Sequence, residues 1–145
     1  MMRSLLDVNL LIALLDPDHV FHERAHAWLS SHAAPGVATC PLTENGLVRI
    51  LSHPSYSKKQ RFHPHDIIAR LQGFVQRQDH EFWTDSLSLR DQKSFRTSRI
   101  LASKQITDLY LLALAVAHHA RLATFDSAIP LEAVPGAKTE SLLVI

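Results

Sequence analysis

Residues 107–126 read TDLYLLALAVAHHARLATFD. Leu109, Leu112, Ala113, Val116 and Ala117 make Thr107–Ala120 a helix that is apolar nearly all round, so it must be covered on more than one side. Arg121–Thr124 follows as a strand, and Asp126 comes just beyond it. The same alternation extends in both directions. Upstream, Leu5-Leu6 leads into Asp7, and Phe21–Leu29 predicts a helix with Phe21, Ala25, Trp28 and Leu29 on one stripe. Val37–Cys40 reads as a strand, and Pro41 suits the first turn of a helix that carries Leu47, Val48 and Leu51 inward and stops before His53-Pro54. Pro64–Gln78 predicts another amphipathic helix, through Ile67, Ile68, Leu71 and Val75. Glu81–Trp83 and Leu142–Ile145 complete the strands. This is an α/β pattern: a mostly parallel sheet with helices on both faces, whose sites form beyond the carboxyl ends of strands at the switch in strand order. Asp7 and Asp126 occupy such positions.

A chain of 145 residues fits one compact domain, and a domain of that size buries roughly 70% of its unfolded surface. Hydrophobic residues at 46% and charged residues at 20% exclude a disordered or low-complexity chain. The single cysteine, Cys40, cannot form an internal disulfide and reads as a buried small residue; a reducing compartment, the cytoplasm, follows as the expectation. The apolar run Leu109–Ala117 is shorter than the ~20 residues of a membrane span. Asp7 and Asn9 interrupt the apolar N-terminal run, so it does not read as a signal peptide. Net charge is +1, which neither demands nor excludes a nucleic-acid partner. Locally, two acid-free stretches stand out, one with Arg49, Lys58, Lys59 and Arg61 and one with Lys93, Arg96, Arg99 and Lys104. These eight cations are the expected phosphate contacts. Tyr56, Phe62 and Phe95 lie among them and could stack bases, although Phe62 and Phe95 read better as loop anchors in the core.

Four acids, Asp7, Glu44, Asp108 and Asp126, interrupt or closely follow apolar segments that would pack better without them. Ionised carboxylates near a core are costly unless compensated, and two unit charges at 4 Å repel by about 4 kcal/mol at an effective dielectric near 20. If they converge, a hard divalent cation is the simplest compensation, and an all-oxygen set favours magnesium or manganese over zinc. Such a site suits phosphodiester hydrolysis. Taken singly, each acid could equally be a cap, a turn residue or a complement to a helix dipole.

The contexts of these acids resemble the PIN-domain family, and particularly its VapC-type toxin members. LLDVNLLI at 5–12, TENGLVRIL at 43–51, TDLYLLALA at 107–115 and LATFD at 122–126 look like the family's four motifs, in family order. The resemblance implies an α/β/α sandwich, a pocket binding one or two Mg2+ or Mn2+ ions through Asp7, Glu44, Asp108 and Asp126, and endonucleolytic cleavage of RNA. It further implies a homodimer and a cognate VapB-type antitoxin, with Asn9 and Thr124 orienting ligands or water. Two positions depart from the pattern: Ala128, where members often carry a further acid, and Val8, where a hydroxyl residue is common. Ala128 leaves the ion count open and motivates an alternative, a PIN-fold RNA- or protein-binding module with impaired catalysis. A third reading, zinc protease, rests on His22-Glu23-Arg24-Ala25-His26, a match to H-E-x-x-H that lacks a third ligand motif and reads better as half-exposed surface histidines. His63, His65, His118 and His119 receive no role and read as surface residues.

Overall fold

A computed structural model describes residues 2–32 and 35–145. Ten elements follow in order: β1 (Ser4–Leu6), α1 (Val8–Leu15), α2 (His22–His32), β2 (Val37–Thr39), α3 (Pro41–Leu51), α4 (Pro64–Gln76), β3 (His80–Phe82), α5 (Ile106–Ala117), β4 (Arg121–Thr124) and β5 (Leu142–Val144). The strands form one sheet in the order β3-β2-β1-β4-β5, and every neighbouring pair is parallel. Parallel strands need crossovers that cover the sheet, so both faces are buried. Leu6, Val37 and Ala123 pack beneath the helices α1, α2, α3 and α4, while Leu5, Ala38 and Leu122 pack against α5. This is the expected three-layer α/β/α arrangement, with a sheet parallel throughout.

Strand order reverses at the centre. From β1 the chain crosses to β2 on one side, whereas β4 pairs with β1 on the other, in the register Leu5↔Leu122 and Leu6↔Ala123. The carboxyl ends of β1 and β4 therefore lie side by side, carrying Asp7 and the Thr124–Asp126 turn.

Several elements differ from the sequence reading in identifiable ways. Leu10 to Leu15 form most of a short helix, α1, with all six side chains buried, so no polar face marked its period. On α4 the inward stripe is Ile67, Leu71 and Phe74, while Ile68 is 54% exposed, which places the buried face about one residue away from the expected one. The final turn expected of α5 is absent: His118 and His119 are exposed, and Ala120 tucks in ahead of β4. The stretch after β3 contains only two single 3-10 turns before α5, Thr97–Arg99 and Ser103–Gln105, and is pinned to the core by Trp83 and Phe95.

The histidines of the H-E-x-x-H match have a structural use. His22 Nδ1 lies 2.7 Å from the Ala13 carbonyl oxygen and His26 Nε2 lies 2.9 Å from that of Leu14. Both carbonyls belong to the last turn of α1, which has no helical partners for them. The half-buried rings close that turn. His63, His65, His118 and His119 are exposed as expected, with His118 stacked flat on Trp83 at 3.9 Å.

Candidate active site

Asp7 stands where β1 becomes α1. Its backbone N–H donates to the Ala123 carbonyl, continuing the ladder, while its carboxylate caps the helix by accepting from Val8 N–H at 2.7 Å. The other carboxylate oxygen accepts from Thr124 Oγ1 at 2.6 Å. Thr124, fully buried, also accepts from Asn9 Nδ2 at 3.2 Å and from the Asp126 N–H at 3.1 Å. One hydroxyl thus ties the ends of β1 and β4 together and fixes the backbone from which Asp126 projects. Asp126 in turn accepts from Ala128 N–H at 2.8 Å.

Asp108 lies in the first turn of α5, where the helix dipole favours an acid. Its carboxyl is nevertheless pushed up to about 7, by burial first and then by the charges of Asp7 and Asp126 and a hydrogen bond shared with Asp126. Burial, together with the charge of Asp126, raises Asp7 as well, against the donors Thr124 and Val8. Three acids from residues 7, 108 and 126 therefore feel one another. Among the described residues the only ion pairs are those of Arg3 with Asp79 and Glu81, so no basic side chain neutralises this group.

Glu44 is placed differently. It sits in the first turn of α3 as expected, but its carboxylate accepts from Thr39 Oγ1 at 2.6 Å. Since that hydroxyl has spent its proton, it accepts from His80 Nε2 at 2.7 Å. His80 is held below its ordinary pKa by burial, opposed by the charge of Glu44. Neither His80 nor Thr39 gave a sequence signal, because their meeting depends on β2–β3 pairing.

A cleft of about 340 Å³ opens beside the acids, lined by Asp7, Val8, Asn9, Ile12, Leu42, Gly46, Arg49, Ile50, Thr107 and Asp108. Its wall requires close approach of α3 to α1. A Cβ on Gly46 would lie 3.0 Å from a Val8 methyl, so Val8, the departure from the family pattern, is used in packing. Of the expected phosphate contacts, Arg49 lines the cleft. Lys58, Lys59, Arg61, Lys93, Arg99 and Lys104 are exposed and do not line it, and Arg96 donates to the Glu132 carbonyl. Phe62 and Phe95 are core anchors, Tyr56 Oη is bonded to Asp16, and Cys40 is fully buried with its thiol raised to about 11.

The donor set of Asp7, Asp108 and Asp126 is all carboxylate oxygen, the chemistry of a hard-cation site. The three are electrostatic neighbours rather than a closed ligand shell, since Asp7 and Asp126 each hold backbone or hydroxyl donors. Their raised protonation has a measurable consequence. Between 3.8 and about 7 the folded chain binds more protons at Asp108 than the unfolded chain does, so this contribution to stability is present at low pH and lost as pH rises. His80 acts in the opposite direction below 6.5. In EDTA, the melting temperature is expected to fall between about pH 5 and pH 8 by more in wild type than in Asp108→Asn, which isolates the acid.

Fold and cleft together define an α/β protein with an acidic site at the switch in strand order. The PIN domain family model matches residues 4–135, and the chain belongs to that family. It is 49% identical to Ribonuclease VapC44 of Mycobacterium tuberculosis over 145 residues, covering 99% of this chain and 100% of that one. Ribonuclease VapC39 of the same organism is 38% identical over 128 residues, 88% of this chain and 91% of its own. The crystal structure of VapBC2 from Rickettsia felis, bound to a DNA fragment from its promoter, matches with a TM-score of 0.56 at 16% identity. It covers 99% of this chain and 98% of that one, and it supports the fold.

Proposed function

We propose that this chain is a divalent-metal-dependent ribonuclease of the VapC type, cleaving RNA through the cleft beside Asp7, Asp108 and Asp126. The observation that carries the reading is three mutually repelling carboxyls at the strand switch with no basic partner among the described residues. When bound there, Mg2+ or Mn2+ supplies positive charge for the scissile phosphate and acidifies the attacking water. The chain's own groups do the rest. Thr124, itself held by Asn9, fixes Asp7 in place, Asp108 would offer its carboxylate once a cation displaces the proton it holds in the metal-free chain, and Arg49 offers a guanidinium to a phosphate oxygen from the cleft wall. Glu44, held by Thr39 in the first turn of α3, is the fourth acid of the proposed set. We place the protein in the cytoplasm, in line with its single buried cysteine, and as a homodimer restrained by a VapB-type antitoxin, the antitoxin being in line with the VapBC2 complex that shares its fold.

The decisive experiment follows cleavage of labelled RNA with Mg2+, with Mn2+ and with EDTA, in wild type and Arg49→Ala. Cleavage confined to the metal-containing reactions, and slowed about 10- to 100-fold by Arg49→Ala, is expected from loss of one charge-assisted phosphate contact. Equal cleavage in EDTA would refute the metal site. Tight RNA binding without turnover in any metal would leave the binding-module alternative in its place.

A further inference from the structure

A second hollow adjoins the acidic cleft and shares its wall. It measures about 220 Å³ and is lined by Arg49, Ile50, His53, Ser55 and Tyr56; the first two also line the cleft beside Asp7 and Asp108. One guanidinium therefore borders both spaces, and Arg49 takes part in no ion pair among the described residues. No acid lines the hollow, and the segment from Arg49 to His65 carries Lys58, Lys59 and Arg61 without one Asp or Glu. The turn beyond α3 is held in shape. Ser55 N–H donates to His53 Nδ1 at 3.0 Å, which leaves the ring's proton on Nε2, and Tyr56 N–H donates to the His53 carbonyl at 3.0 Å. His53 and Ser55 are exposed, and neither His53 Nε2 nor Ser55 Oγ has a hydrogen-bond partner among the described residues. Tyr56 is anchored from behind: its Oη donates at 2.6 Å to the buried Asp16, which also accepts from Asp18 N–H.

We propose that this hollow is a second phosphate subsite, in which His53, Ser55 and Arg49 hold the RNA phosphate next to the one being cut, with the sugar against Tyr56 and Ile50. The inference rests on the ribonuclease reading for the identity of the ligand, and deepens it by giving the strand a direction. RNA leaves the cleft past the carboxyl end of α3, toward Lys58 and Lys59. Charge selects the occupant. The hollow offers N–H and O–H donors and a planar cation but no carboxylate, which suits a phosphate diester and gives nothing to a basic or apolar protein segment. A guanidinium carries five donors, so Arg49 can serve a phosphate on each side, and two phosphates sharing one side chain are neighbours on the strand.

The test measures fluorescence anisotropy in EDTA with a short labelled RNA and with a labelled oligoglutamate peptide of equal charge, across a series of variants at His53. His53→Ala is expected to weaken RNA binding about 10-fold, as loss of a hydrogen bond to a charged group does. His53→Glu weakens it further and His53→Lys restores it. Since Lys cannot accept from Ser55 N–H, that restoration separates the lost donor from a disturbed turn. In His53→Lys the fall of log affinity with log salt is also expected to steepen by about 0.7, one further phosphate neutralised. Equal RNA affinity across the series overturns the proposal. So does an oligoglutamate response as large as that of the RNA, which would give the hollow to an acidic protein segment. Should the series behave as expected in a protein that cleaves RNA with neither metal, the subsite stands and the nuclease reading falls. Metal-dependent cleavage with a flat series keeps the nuclease and removes the subsite.

Discussion

Asp108→Asn is expected to abolish RNA cleavage while raising the melting temperature of the metal-free protein by a few degrees. The two effects have one cause. Asp108 is half-buried beside Asp7 and Asp126, and its carboxyl is driven up to about 7 because the folded chain offers its charge poor solvation and two like neighbours. An amide of nearly the same shape removes the repulsion, so the fold relaxes. It also removes one of the three carboxylates proposed to hold a divalent cation, and single members of a catalytic unit are worth about a thousandfold or more in rate. Initial rates with Mg2+ and thermal melts in EDTA read both quantities. An active Asp108→Asn enzyme would be incompatible with the proposed site, and a large drop in its melting temperature would contradict the repulsion.

Phe95→Ala is expected to cost about 3–5 kcal/mol, out of a total that for a domain of this kind is about 5–15 kcal/mol. Phe95 is 1% exposed, the largest of the fully buried side chains, and its ring stacks near Tyr110 at 6.3 Å. It is also the main apolar fixture between Trp83 and Ile100, a stretch without regular strand or long helix, so little else can close the cavity left behind. Urea denaturation of wild type and variant, compared at equal slope, gives the difference directly. A cost below about 1 kcal/mol would mean that the segment collapses onto the hole and is less rigidly held than its burial implies.

The parallel layered fold was legible because its signals are periodic or chemical: α5 is apolar all round, β4 follows it directly, and Pro41 opens α3 where expected. What escaped was of two kinds. In α1 every residue from Leu10 to Leu15 is buried, so hydropathy had no contrast with which to reveal a helical period. The exact inward stripe of α4 was also lost, because Ile67 and Ile68 are equally apolar and only tertiary packing chooses between them. Within the site, the acids were conspicuous as misfits in apolar runs. The orientation of Glu44 toward Thr39 and His80, by contrast, depends on pairing between β2 and β3, and the meeting of Phe21 with Phe125 on the packing of α2 beside the end of β4, in each case between residues far apart in sequence. Local pattern carries no record of such encounters.

The central β1–β4 pairing joins Leu5 to Leu122 and Leu6 to Ala123, and the Thr124 hydroxyl reaches back to Asp7. During synthesis the amino-terminal half emerges with its first strand unable to find that partner, because contacts of such long sequence separation must wait for the rest of the polypeptide. The proposed site is thus assembled only after β4 has been made. On a nascent chain, surrounded by the very polymer it is proposed to attack, the proposed acids stay apart until residues 121–126 have left the ribosome.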